Sequence, residues 1–400
     1  MRAKISKGMF LLLLITLHAG CGGSGGGNDI LDFTQIWAIA IKDLDADGVN
    51  DFVVTSTKNR NSDDTHFASV FLNDFNFPGA FGLTQKLVLS GIDRNWPTSV
   101  KVGDLNNDGL PDIATEDGDA VHVSFQNPTS PGRFSVPVKM MVGPNIEALA
   151  IGDLNQDGFN DIAIPGGSLH LSILFQDTFN PGNFLAPTNL GVRSGSVAIG
   201  DLDGDLINDM AVTDGENGSV IVLIQNPGIP GDFTIAAEYP TDAWAADVKI
   251  DDLDQDGKLD LVVANSGASG AANTGSVSVL LQDPINAGQY LPAVNYAIGC
   301  SAKALSLGDL NNDGFLDVAI ASWCQSEAIT ILFHDNTNIG TFLLPVKYST
   351  ELNPWKVEIG DMNNDNFNDL IISEEDLVIR YQNSTSPGNF FGRTVVYDPD

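Results

Sequence analysis

The chain has 400 residues, 43% of them hydrophobic, and its 52 acidic against 19 basic residues give a net charge of −33. That hydrophobic content is ample for a packed core and excludes a disordered chain. The charge excludes nucleic acid, which needs Lys and Arg gathered on one face, and equally a polybasic membrane patch. The carboxylates recur at intervals through apolar sequence rather than in an acidic tail, so bound cations account for them better.

Residues 1–20 read as an export signal. Arg2, Lys4 and Lys7 form a basic start, and Met9 to Leu17 form an apolar run too short to span a bilayer. Ala19-Gly20-Cys21 follows, and it resembles the lipobox of bacterial lipoproteins, with His18 where that family usually has Leu. The resemblance implies an extracytoplasmic protein lipidated at Cys21 and held to a bacterial membrane by that lipid alone, in the periplasm or at the cell surface. Plain secretion is the competing reading. Residues 21–29 are then a Gly-rich tether and 30–400 the folded domain.

Within that domain one nine-residue string recurs seven times. It reads DLDADGVND from Asp43, DLNNDGLPD from Asp104, DLNQDGFND from Asp153 and DLDGDLIND from Asp201. It continues as DLDQDGKLD from Asp252, DLNNDGFLD from Asp309 and DMNNDNFND from Asp361. The spacings are 61, 49, 48, 51, 57 and 52 residues, so chance is excluded. Short strand-like runs precede and follow each copy, such as Ala148–Ile151 and Asp161–Ile164. A third run ends in a second motif, QNPTSPGRF at Gln126 and QNPGIPGDF at Gln225, with weaker copies starting at Asn73, Gln282 and His334. A fourth run leads to the next copy. Four strands in about fifty residues, seven times over, predict an all-β, seven-bladed β-propeller of four-stranded antiparallel blades. The ring is expected to close without exchange of a strand between its ends, with residues 30–34 as an alternative extra edge strand.

Oxygen ligands at positions 1, 3, 5 and 9 of the string suit Ca²⁺, which takes six to eight oxygens. Up to seven ions are expected, held by Asp43, Asp45, Asp47 and Asp51; Asp104, Asn106, Asp108 and Asp112; Asp153, Asn155, Asp157 and Asp161; Asp201, Asp203, Asp205 and Asp209. The remaining sets are Asp252, Asp254, Asp256 and Asp260; Asp309, Asn311, Asp313 and Asp317; Asp361, Asn363, Asp365 and Asp369. Gly at position 6 permits a sharp bend; Leu206 and Asn366 replace it, which makes the fourth loop the weakest candidate. An EF-hand is excluded because position 12 is apolar or small and lies in a strand. A metal-free Asx-rich turn is the competing reading.

With these motifs the chain resembles the FG-GAP/VCBS repeat family, the propeller type also found in integrin α-subunit heads. The resemblance covers about residues 35 to 400, and GDLNNDG at Gly103 and Gly308 matches the family pattern closely. It implies that the Asp string joins strands one and two of each blade, binds Ca²⁺ on one face and leaves the other face to ligands.

No catalytic constellation stands out, since His66, His122, His170 and His334 are scattered over four blades. A binding or adhesion protein, monomeric, with a glycan or surface-protein ligand is expected; a polysaccharide lyase or hydrolase on the same scaffold is the alternative. Trp37 and Trp355 lie six residues before the first Asp of their blades, Trp96 and Trp244 eight before, and Trp323 ends the second strand of blade six. All five therefore collect at the rim away from the Asp strings, as ligand contacts or as plugs between blades. Arg94, Glu147, Arg193, Asp242 and Glu351 flank them. Cys300 and Cys324 are left as an even pair in a compartment that permits a disulfide, with two separate thiols as the other reading. A hairpin about Asp313 places residue 302 opposite 324, with Cys300 two residues beyond, so the bridge needs a twist or bulge.

Overall fold

A computed structural model describes residues 34–58, 65–89, 96–166, 171–268, 274–324, 327–374 and 376–396. The signal, the tether, Cys21, Arg94, His170 and residues 30–33 lie outside these. The described residues form seven four-stranded sheets, each an antiparallel meander in chain order. Blade one runs Thr34–Lys42, Asp51–Lys58, Thr65–Asp74 and Phe77–Leu89; blade seven ends with Thr394–Val396. The expected seven-bladed propeller is therefore the fold, and among the described residues no strand is exchanged between the first and last blades.

The middle strands are buried almost throughout, because each sheet is sandwiched between two others. Seven clusters of buried aliphatic and aromatic side chains fill the gaps, each drawing on two neighbouring blades. The cluster that joins blade seven to blade one contains Ile36, Ile39 and Phe52 with Met362, Ile371 and Ile379. Asn50 Nδ2 donates to the Asp361 carbonyl and Asn73 Nδ2 to the Met362 carbonyl across the same gap, each at 3.0 Å. Position 8 of the string makes the same inter-blade bond through Asn160, Asn208 and Asn368.

The Asp at position 9 fastens each blade. In blade three, Asp161 Oδ2 accepts the Leu154 N–H at 2.9 Å and Oδ1 accepts the Gln176 N–H at 2.8 Å. The first bond ties the carboxylate to its own loop, the second to the start of the turn between strands three and four. The pair of bonds recurs in all seven blades at 2.7–2.9 Å, through Asp51, Asp112, Asp209, Asp260, Asp317 and Asp369. These carboxylates are completely or almost completely buried. The Gln176 side chain donates onward to the Asn160 carbonyl and accepts the Gly182 N–H, which shapes the turn. The glycine of that turn has positive φ in every blade, and a Cβ there would meet the position 3 residue of the preceding blade at 3.1–3.6 Å. The second motif is thus an inter-blade joint as well as a turn.

Two positions of the string, not one, are left-handed. Position 6 has φ between 66° and 93°, as expected for the glycines, and position 4 has φ of 57–82°. Blade four carries its glycine at position 4 (Gly204, φ 82°) and Leu206 at position 6 (φ 70°), so the loop keeps its shape at the cost of a strained leucine.

Three first strands carry a β-bulge at the same place, at Trp37, Ala246 and Lys303, six residues before the first Asp. The bulge in blade six corrects the cysteine register. Ala302 pairs with Ser322 and Ser301 with Trp323, which brings Cys300 directly opposite Cys324. The two are joined in a disulfide, with Cα atoms 5.6 Å apart.

Two outcomes follow. Asp161→Ala strands two buried N–H groups and lowers stability in EDTA by roughly 3–5 kcal/mol, whereas Asp157→Ala in its exposed position costs less than about 1 kcal/mol. Equal urea midpoints for the two variants would contradict the fastening role. Leu206 is 92% exposed and loses little packing on replacement. Leu206→Gly relieves the left-handed strain and raises stability by up to about 1 kcal/mol; an unchanged or lower midpoint refutes the strain.

Candidate functional site

The Asp loops hold their shape without help from outside. In blade two, Asp104 Oδ2 accepts the Gly109 N–H at 2.8 Å and Oδ1 accepts the Asp108 N–H at 3.2 Å. Asn106 Oδ1 accepts the Asp108 N–H, and Asp108 Oδ1 accepts the Leu110 N–H. These bonds turn the side chains of positions 1, 3 and 5 toward one another. Among the described residues three loops bring carboxylate oxygens of positions 1, 3 and 9 within 4.8 Å: Asp43, Asp45 and Asp51; Asp201, Asp203 and Asp209; Asp252, Asp254 and Asp260. The other four have Asn at position 3, whose amide oxygen is an equivalent hard donor.

The electrostatics fit a bound cation. Asp45 Oδ1 is buried without a hydrogen-bond partner. Burial and the Asp47 and Asp43 charges push the Asp45 carboxyl up, and Asp203 and Asp254 are pushed up in the same way. Burial pushes the position 9 carboxyls up to about 7 against the pull of their two N–H bonds. The acidic clusters of the repeats can therefore hold metal ions. One role assigned from sequence is incomplete: position 9 is first a buried structural acceptor, and it reaches a cation only with lone pairs that its two N–H bonds leave over.

The opposite ends of the first strands surround a cavity of about 480 Å³ on the axis. The residue six before the first Asp lines it in all seven blades: Trp37, Thr98, Glu147, Gly195, Ala246, Lys303 and Trp355. The bulges at this position in three blades re-aim the side chain, which strict alternation would turn toward the neighbouring blade. Arg193 and Trp244, eight before, stand on the wall, and Arg193 pairs with Glu216.

The tryptophans gather as their spacing suggested, but they are not alike. Trp96, Trp37, Trp355 and Trp323 form a continuous arc across blades two, one, seven and six, with successive ring centroids 4.7, 4.9 and 4.6 Å apart. Trp37 is only 4% exposed, and its indole N–H donates to Thr57 Oγ1, so it is a plug. Trp96, Trp244 and Trp323 are 48%, 51% and 39% exposed. Lys303 Nζ sits over the Trp323 ring at 4.4 Å. Glu147 and Arg193 face the cavity, while Asp242 accepts a bond from Ser276 and Glu351 pairs with Arg393.

Sequence reading missed the charges deeper on the axis. Positions three and five before the first Asp are mostly Ala or Ser, yet they include Lys101, Lys249 and Glu358, and Asp247 and Lys356. These five line a second, much smaller cavity on the loop-face side, which shares Asp247 and Lys356 with the first. The signal was five charged residues in an otherwise small, inward-facing row. The described histidines are structural instead: His122 Nε2 bonds to Asp117 at 2.8 Å, His66 Nδ1 to Thr57, and His334 Nε2 accepts the Gly340 N–H.

Comparison with known proteins agrees with this geometry. No curated protein matches the chain. Among solved structures, BBS1N in complex with ARL6DN is similar, at 14% identity and a TM-score of 0.51 in a lead-soaked crystal. A mercury-soaked crystal of it gives 16% and 0.54; both cover 89% of this chain and 98% of theirs. The WD40 domain of Toxoplasma gondii coronin is similar at 9% identity and a TM-score of 0.52, over 82% of this chain and 77% of its own. At such identities the likeness is one of fold alone. The model of the FG-GAP-like repeat matches residues 43–115, 201–263, 252–320 and 309–372, more than half of the sequence, each match starting on the first Asp of a string. The chain belongs to the FG-GAP-like repeat family.

Proposed function

We propose that this chain is a calcium-stabilised binding protein of the extracytoplasmic space, lipid-anchored at Cys21, that takes a glycan or protein ligand in the axial cavity. The observation that carries the reading is the cavity itself. It is a concave site of small-ligand size, walled by the half-exposed Trp244, by Trp355 and Trp37 and by a few charged groups, on the face away from the Asp loops. The repeated loops serve stability, and what differs between blades serves recognition. Calcium is favoured for the loops because their donors are all hard oxygens, in numbers above four per loop once backbone carbonyls are counted. Seven such ions would reduce the charge from −33 to about −19.

Two measurements test this. Ca²⁺ at about 5–10 mM, roughly ten-fold above the range of extracellular Ca²⁺ modules, raises the melting temperature relative to EDTA. Identical melting curves would remove calcium from the account. In a screen of glycans and surface proteins, Trp96→Ala and Trp244→Ala abolish binding with melting nearly unchanged, while Trp37→Ala costs about 3–5 kcal/mol of stability. Binding that survives both exposed-tryptophan variants places the ligand elsewhere, and turnover of a bound polysaccharide favours a lyase or hydrolase.

A further inference from the structure

The axial cavity and its floor are balanced in charge, five cations beside the carboxylates of Glu147, Asp214, Glu216, Asp247 and Glu358, in a chain with 52 acidic against 19 basic residues. Five of the fourteen Lys and Arg side chains among the described residues line it or its floor: Lys101, Arg193, Lys249, Lys303 and Lys356. Closing the axis does not require them, since Ala40, Ala150 and Ala198 occupy the place of Lys101 and Lys249 in other blades. Arg193 is paired with Glu216, and Lys249 with Asp247 at 3.5 Å. Among the described residues, Lys101, Lys303 and Lys356 form no ion pair within 4.0 Å.

On the floor three lysines meet two carboxylates. Asp247 takes bonds from Ser196 Oγ and the Leu305 N–H, and Glu358 takes one from Ser306 Oγ. The charge of Lys249 and then burial hold Lys101 down to about 8, and Lys356 adds to the repulsion. Like charges gathered in a half-enclosed site are relieved by an anion from outside. Trp355 and Lys356 are consecutive and both face the cavity, so a flat apolar surface adjoins a cationic one.

We propose that the cavity binds an acidic sugar residue, its ring against Trp355 and Trp244 and its carboxylate at Lys356, on the side where Lys101 lies beneath. The proposal rests on the cavity being the ligand site. A sugar acid is favoured over an acidic peptide because it carries the apolar face and the carboxylate on one rigid ring, matching two adjoining surfaces.

The test is calorimetry on the calcium-loaded protein with a galacturonate trimer, a glucuronate-containing tetramer, neutral galactose and glucose oligomers of equal length, and a glutamate-rich peptide. The acidic sugars are expected to bind at least about tenfold more tightly than the neutral ones, and Lys356→Met to weaken them about tenfold. Lys356→Arg retains most of the affinity, and raised salt weakens it. Lys101→Met gives a second reading if Lys356→Met fails to fold. Equal binding of acidic and neutral sugars, lost in Trp244→Ala, overturns the charge assignment and leaves the cavity as the site. Binding of the peptide alone, or of no saccharide, overturns the proposal outright.

Discussion

The fold depends on one buried carboxylate repeated seven times. Water would satisfy two backbone N–H groups at no cost in the unfolded chain; in the blade they are sealed off, and only the Asp at position 9 meets them. Each such Asp fixes the loop between strands one and two to the turn between strands three and four. That turn sets the glycine whose bare backbone lies on the preceding blade. A bond inside one blade therefore determines the contact between two, and the ring is built by iterating it. The burial that makes the acceptor strong also raises its protonation range to about 7, which gives a nearby cation a direct effect on the same joint.

Repetition explains how legible the fold was. Strings such as DLNQDGFND state the blade count, the strand order and the loop conformation at once, because each copy confirms the others. The family resemblance likewise fixed the face that carries the loops. The roles of single atoms were less legible. Nothing in the string separates Asp161, a buried acceptor, from Asp157, an exposed one; the difference lies in the Gln176 N–H, fifteen residues away. The left-handed backbone at position 4 was also hidden, since Ala46 and Gln156 give no sign of it.

The cavity was half legible for a different reason. Counting back from the first Asp collected the tryptophans correctly, because distance along a strand survives small irregularities. Facing does not. A bulge at Trp37, Ala246 and Lys303 reverses the parity of everything beyond it, so alternation mispaired Cys300 and concealed that Lys303 faces the axis. The inward row holding Lys101, Lys249 and Lys356 is legible in the sequence, because these charges stand at positions that other blades fill with Ala or Ser. In a repeat protein the departures from the repeat carry the chemistry.

The way the ring closes has a mechanical consequence. At six of its seams the neighbouring blades are successive stretches of one chain, so a seam that parts is held at high effective concentration and reforms. At the seam between blades seven and one no strand crosses among the described residues. Among the described residues, the packing around Ile36 and Met362, the amide bonds of Asn50 and Asn73, the Trp37–Trp355 ring contact and the bond from the Tyr381 hydroxyl to the Gly79 carbonyl span it, all of them non-covalent. Under strain the molecule behaves as a split washer: it opens at this seam first, with every blade still folded, and the axial cavity loses one wall before any sheet is lost.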